Sequence, residues 1–284
     1  GWGGFWAWDP VENAALMPWL TGTAFLHSVM IQEKRNMLKI WNVVLIIMTF
    51  GLTIIGTFLT RSGIINSVHS FTQSKIGPAF LIFLALILVI GFALLFKRIQ
   101  MLESEHKIDS VLCRENVFLA QNVLLTGIAF TVLLGTIFPL LAEAVRGSKL
   151  SIQAPFFNTI TAPMGYALLL LMGVGTLIPW RKSSQESLRK NFQNPIILAT
   201  VGTMFLTWIL SDNNLQWGVI TTFWAAIFVT STILFELVKA SLVKGRQTET
   251  NFLIGLFYVI IGNRRRYGGL LIHFGAVLMF LGFA

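Results

Sequence analysis

Four tryptophans, Trp2, Trp6, Trp8 and Trp19, fall within the first nineteen residues of a chain that holds nine in 284. With Phe5 they offer a run of aromatic faces, suited either to gripping a flat conjugated partner or to lining the headgroup layer of a membrane. The glycines of Gly1-Trp2-Gly3-Gly4-Phe5-Trp6-Ala7-Trp8 bear on that choice. A headgroup belt needs no glycine, whereas a porphyrin-sized plate approached closely by backbone can use them. The next residues, Asp9-Pro10-Val11-Glu12, have the order of a helix start, with Asp as N-cap, Pro at the first helical position and Glu at the third. Such a terminus also points partial positive charge at an anionic group, for which a propionate is one candidate.

The four histidines are His27, His69, His106 and His273. Neutral imidazole is a good axial ligand for iron, and two of them give a six-coordinate ion suited to passing electrons. A single histidine in an apolar stretch is also read as a hydrogen-bonded interior residue, so a pair at matched depth carries more weight than either alone. His106, within the charged stretch Glu103–Asp109, reads as a surface residue. The lone cysteine, Cys113, excludes an internal disulfide, a Cys-based zinc site and a cluster held by several thiolates. No G-x-x-x-x-G-K-[ST] loop occurs, which argues against ATP-driven transport by this chain.

The elements that must position these groups are membrane helices. The chain is 55% hydrophobic and 12% charged, with a mean hydropathy of +0.74. Its apolar runs are long enough for a helix to cross a hydrocarbon core about 30 Å thick. An all-α polytopic bundle follows, because backbone in lipid must satisfy its own hydrogen bonds. Eight spans are expected near 11–32, 40–60, 77–97, 116–141, 163–180, 194–210, 217–239 and 267–284. Seventeen of the 21 Lys and Arg fall in the joints on one side of these spans, and only Arg61, Lys75, Arg146 and Lys149 on the other. This asymmetry is topogenic and leaves no patch for nucleic acid; it puts the basic joints inside and the opening segment outside. The whole of 1–284 reads as a single membrane domain, with 1–19 as its external aromatic segment. Within the inner joint 240–266, the apolar stretch Phe252–Ile261 is too short to span and reads as a helix at the interface. On this topology His27, 17 residues after Pro10, lies roughly 25 Å along its helix, and His273, seven residues past Arg266, lies roughly 10 Å from the inner surface. His69 falls outside, on the same side as the tryptophans.

The stretch from Gly1 through Ala14, continuing by Met17-Pro18-Trp19-Leu20 to Leu26-His27-Ser28, closely resembles the WWD heme-handling segment of the cytochrome c biogenesis superfamily. It is most similar there to the CcmF/NrfE heme lyase subunits. The likeness extends through Gly56–Gly63, Val68-His69-Ser70-Phe71, Arg114-Glu115-Asn116, Gly135–Leu140 and Gly268–His273. What the resemblance implies is a heme b in the membrane with His27 and His273 as axial ligands. It also implies a second heme, as substrate, held outside by Trp2, Trp6, Trp8, Asp9, Trp19 and His69. Arg61 is a candidate partner for a propionate or an interfacial cation. The implied activity is thioether formation between heme vinyl groups and the thiols of a Cys-x-x-Cys-His segment, with heme b relaying electrons. Implied partners are a heme chaperone, apocytochrome c, thiol-reducing and apocytochrome-binding subunits, and quinol. The implied location is the bacterial inner membrane, or that of a mitochondrion, with the tryptophans on the periplasmic or intermembrane side.

Two other readings compete. A heme exporter or presenting platform would hand heme to a chaperone without forming a bond, and a transporter or channel with ordinary aromatic belts would hold no chromophore. The start at Gly1 and the stop within an apolar run lead us to expect further helices at both ends, and the resemblance implies a second external iron ligand upstream of Gly1.

Overall fold

The structure is a computed structural model that describes residues 6–62, 76–104, 110, 112–147, 150, 152–180, 184–210 and 215–283. Every described element is helical: α1 Pro10–Arg35, α2 Lys39–Arg61, α3 Gly77–Lys97, a short 3-10 turn Ile99–Leu102, α4 Arg114–Arg146, α5 Ala154–Leu177, α6 Gln185–Ile209, α7 Trp217–Gln247, α8 Phe252–Gly262 and α9 Arg264–Phe283. All but α8 among the numbered helices are long and apolar enough to cross a membrane, giving eight spans. The chain is a multi-pass membrane protein. At 11 residues, α8 reaches only about 16 Å and cannot cross.

Several helices outrun the apolar stretches that reveal them. Against the expected 163–180, α5 starts at Ala154, and against 217–239, α7 continues to Gln247. Hydropathy marks the part of a helix that lies in hydrocarbon, while the helix itself continues until something breaks its ladder. In α7 the break comes at Thr248 and Glu249, the latter with φ 51°. The inner joint is correspondingly shorter than the expected 240–266, and Phe252–Gly262 forms the short helix expected within it.

Two compact units emerge: 1–108 with 118–165, and 109–117 with 166–284. In the first, α1 and α2 pack through small and polar contacts. A Cβ on Gly56 would lie 3.2 Å from the Ala14 carbonyl oxygen, Thr49 donates to Thr21 at 2.8 Å, and Asn42 donates to Gln32 at 2.6 Å. Without a hydrophobic drive between helices in lipid, close backbone approach and such hydrogen bonds are what hold them. In the second unit α7 is the hub, with Val229, Phe228, Ala225 and Ile233 buried against Leu169 and Met172 of α5, Ala199 of α6, and Leu270 and Val277 of α9. Against α8 its backbone comes closer still, since a Cβ on Gly255 would stand 2.5 Å from the Ser241 carbonyl oxygen.

Candidate functional site

The entry to α1 is built as the sequence order predicts. Asp9 is the N-cap in extended backbone, its Oδ1 accepting from Val11 N–H at 2.9 Å, with Pro10 at the first helical position. Glu12 turns back and its Oε2 accepts from both Asp9 N–H at 3.0 Å and Ala7 N–H at 2.9 Å, closing a capping box. The N–H groups at Ala7, Asp9 and Val11 are already bonded to two carboxylates, which compete with any propionate for the start of α1.

The capping box turns the chain back through Trp8, which stands at φ 57°, a left-handed conformation that a bulky side chain adopts only when its surroundings hold it there. Three groups do so. The Trp8 carbonyl accepts from Asn13 Nδ2 at 3.1 Å, the same amide donating to Thr136 Oγ1 of α4 at 3.0 Å. Its indole N–H donates to Asn158 Oδ1 of α5 at 2.7 Å. Its ring stacks on Phe157 with centroids 4.9 Å apart and planes 11° from parallel. Trp6 meets Trp8 edge-on, 5.7 Å away at 86°. Phe157 is fixed in turn by Phe156 at 5.4 Å and by the bare backbone of Gly135, where a Cβ would lie 2.5 Å from the Phe157 ring. All of these residues belong to the first unit.

Trp6, Trp8 and Asp9 are thus gathered at one end of α1. Trp19 is not beside them: it lies nine residues past Pro10, about 14 Å along the helix, and is 56% exposed. Trp2 and His69 lie outside the described residues, as does His106. Phe157 and Asn158 are the contributors that sequence reading missed, because the expected start of their helix at 163 left them in a joint.

His27 sits in the α1 interior of the first unit, its Nδ1 2.8 Å from the Thr23 carbonyl oxygen and its ring edge-on to Phe118 at 5.6 Å. A carbonyl only accepts, so Nδ1 is the donor in this contact. This is the arrangement that orients a histidine for metal ligation, and an interior histidine satisfied by its own helix uses it too. His273 lies in α9 of the second unit, partly buried.

Residues 1–69 match the family of cytochrome C assembly proteins. Over 92% of its length the chain is 36% identical to the cytochrome c-type biogenesis protein CcmF of Pseudomonas fluorescens, covering 40% of that protein. It is 35% identical to CcmF of Escherichia coli, again over 92% of this chain and 41% of the relative. A solved structure of the cytochrome c heme lyase CcmF superposes with a TM-score of 0.74 at 35% identity, over 99% of this chain and 39% of that one. The chain belongs to the CcmF/NrfE family of cytochrome c-type biogenesis proteins. It spans about two fifths of the length of these CcmF relatives. The Gly-Trp pattern, the helix cap and His27 all fall within the residues that the family model matches.

Proposed function

We propose that this chain takes part in cytochrome c maturation by presenting heme, as substrate, at the aromatic end of α1 for covalent attachment to apocytochrome c. The observation that supports it most is Trp8, held in a strained conformation between Asn158 and Phe157 with Trp6 across its edge. An aromatic belt in a headgroup layer needs no fixed backbone, whereas a face that must meet a rigid plate does. Asp9 and Glu12 act here as positioning residues, setting the angle at which the tryptophans leave the helix. His69 supplies an axial nitrogen to the substrate iron, and Trp2 extends the aromatic contact.

In the reaction proper, a cysteine S–H of a Cys-x-x-Cys-His segment adds across a heme vinyl group. A C–S bond forms at one vinyl carbon, the proton ends on the other, and nothing is oxidised. The protein contributes position and orientation, since the reactivity belongs to thiol and vinyl. By the family resemblance, His27 and His273 would hold a heme b in the membrane, and the Nδ1 bond to Thr23 fixes the orientation of the His27 ring. When bound, that group supplies one-electron transfer toward the substrate iron, with quinol as donor. The aromatic end then faces the periplasm or intermembrane space, opposite the basic joints. A heme chaperone delivers the substrate, and thiol-reducing subunits deliver the reduced apocytochrome.

The deciding experiment uses the full-length protein with an apocytochrome peptide. Heme that resists acid–acetone extraction after incubation is the expected result. Heme that binds but stays extractable would sink the lyase reading and leave a presenting platform. Bis-histidine b-type bands that persist in both His27→Ala and His273→Ala would end the heme b assignment.

A further inference from the structure

Within the second unit, a cleft of about 390 Å³ opens where α4 starts, α5 ends, α6 and α9 start, and the long α7 leaves the apolar zone. From Trp217 to Glu236 α7 rises about 28 Å, close to the thickness of the hydrocarbon core, so this level is that of the lipid headgroups. Among the described lining residues four are cations, Arg114, Lys190, Lys239 and Arg266, and one is a carboxylate, Glu236, with Glu115 also acting on Arg114 electrostatically.

Existing contacts neutralise only part of that charge. Glu236 is joined to Arg266. Arg114 donates to the carbonyls of Ile178 at 2.8 Å and Thr176 at 3.2 Å, capping the end of α5, and lies 5.5 Å from the Trp180 ring. Its bonds are to neutral groups, so its positive charge stays. Lys190 pairs with Glu186 one turn back at 2.9 Å, with both side chains more than 70% exposed, a pair worth only a few tenths of a kcal/mol. Ser187, Asn191 and Asn194 add uncharged hydrogen-bonding groups. Beneath the rim the lining turns apolar at Pro195 and Phe235, and the neighbouring Ile196 and Val238 are exposed on faces that lipid would cover.

We propose that this cleft binds the phosphate headgroup of an acidic phospholipid, with Lys190, Lys239 and Arg266 contacting the phosphate and the acyl chains running down past Phe235. A cationic rim at headgroup depth over an apolar wall matches the charge and amphipathy of such a lipid, and basic pockets between membrane helices are the usual seats for them. Lysine serves as a point charge for phosphate, while Arg114 fixes the wall and raises the potential. The inference rests on the membrane character of the chain and is independent of the heme reading.

Native mass spectrometry of the full-length protein in a mild detergent, with equal phosphatidylglycerol and phosphatidylcholine, tests it. Phosphatidylglycerol should be retained in preference, and Lys190→Gln/Lys239→Gln should lower that retention about tenfold or more, at roughly 1 kcal/mol per lysine. Lys97→Gln, on α3, should leave it unchanged, and Lys190→Arg/Lys239→Arg should restore it. Equal retention of the two lipids, or full retention by the double Gln variant, overturns the proposal. So does inorganic phosphate binding as tightly in lipid-free protein, which makes this a free-anion site. Loss of b-type absorbance in the double Gln variant also overturns it, by assigning the cations to heme.

Discussion

Replacing Asn158 with Leu removes the acceptor of the Trp8 indole N–H while roughly keeping side-chain volume. The 2.7 Å bond is exposed, so water can replace the amide, and the loss is at most the middle of the usual range, about 1 kcal/mol. Phe157→Ala removes the stacked ring; beyond lost area, a stacked pair contributes about 0.5–1.5 kcal/mol. It also opens space over Gly135, so the larger effect belongs to Phe157. Against these gains stands the left-handed backbone at Trp8, which costs about 1–3 kcal/mol. Loss of either partner therefore brings the held conformation close to balance with released ones. In a heme titration of the full-length protein followed at the Soret band, Asn158→Leu should weaken outer-site binding about fivefold, equivalent to 1 kcal/mol. Phe157→Ala should weaken it by tenfold or more, and the double variant by less than the product, because both act through one indole. Wild-type affinity in both single variants would refute the view that α5 sets the aromatic face.

Three further outcomes follow from local geometry. Asp9→Ala should lower thermal stability by about 1 kcal/mol while Asp9→Asn, which retains a capping oxygen, should be nearly neutral; equal losses in calorimetry would remove the capping role. Gly255→Val should detach α8 from α7, because its Cβ would sit 2.5 Å from the Ser241 carbonyl oxygen; faster proteolysis within 248–262 with the remaining helices intact is the expected pattern. Cys113 is buried, its thiol bonded to the Ser110 carbonyl at 2.9 Å, and burial pushes its pKa up. The thiol thus holds its proton to higher pH than an ordinary thiol, and maleimide should label it slowly at pH 7–8 until the protein is denatured; rapid labelling of the folded protein would contradict the placement.

The apolar runs made the eight spans legible because crossing a bilayer fixes both length and composition, and the Asp9-Pro10-Glu12 cap was legible because it is a purely local device. What sequence did not reveal is where a helix continues past the hydrocarbon. The nine residues by which α5 precedes its expected start carry Phe157 and Asn158, and these decide how Trp8 is held. The contact joins residues 150 positions apart, and no periodicity or propensity reports on that. Gly135 gave a hint: a glycine within an apolar helix is unfavourable unless something approaches its backbone, here the Phe157 ring. The candidate histidines could be picked out by residue type alone. Sequence gives the depth of His27 but not the Thr23 bond that orients its ring.

The capping box also constrains how charge is arranged around a bound substrate. Asp9 and Glu12 put two carboxylates at the start of α1, with their oxygens turned to the backbone N–H groups that would otherwise attract an anion. A heme propionate brought there meets like charge and N–H groups already bonded, so the helix dipole gives it no net attraction. Arg61, exposed at the last residue of α2, is our candidate for that role, on the topology proposed above. Arg61→Gln should then weaken outer-site heme binding by two- to fivefold, in keeping with an exposed pair worth at most about 1 kcal/mol, and the effect should fade as salt is raised. Asp9→Asn should leave binding unchanged or slightly tighter, since it removes a negative charge and keeps the cap. Titrations of the two variants at low and high ionic strength separate the possibilities: a loss in Asp9→Asn with none in Arg61→Gln would return the propionate to the helix terminus and overturn this assignment.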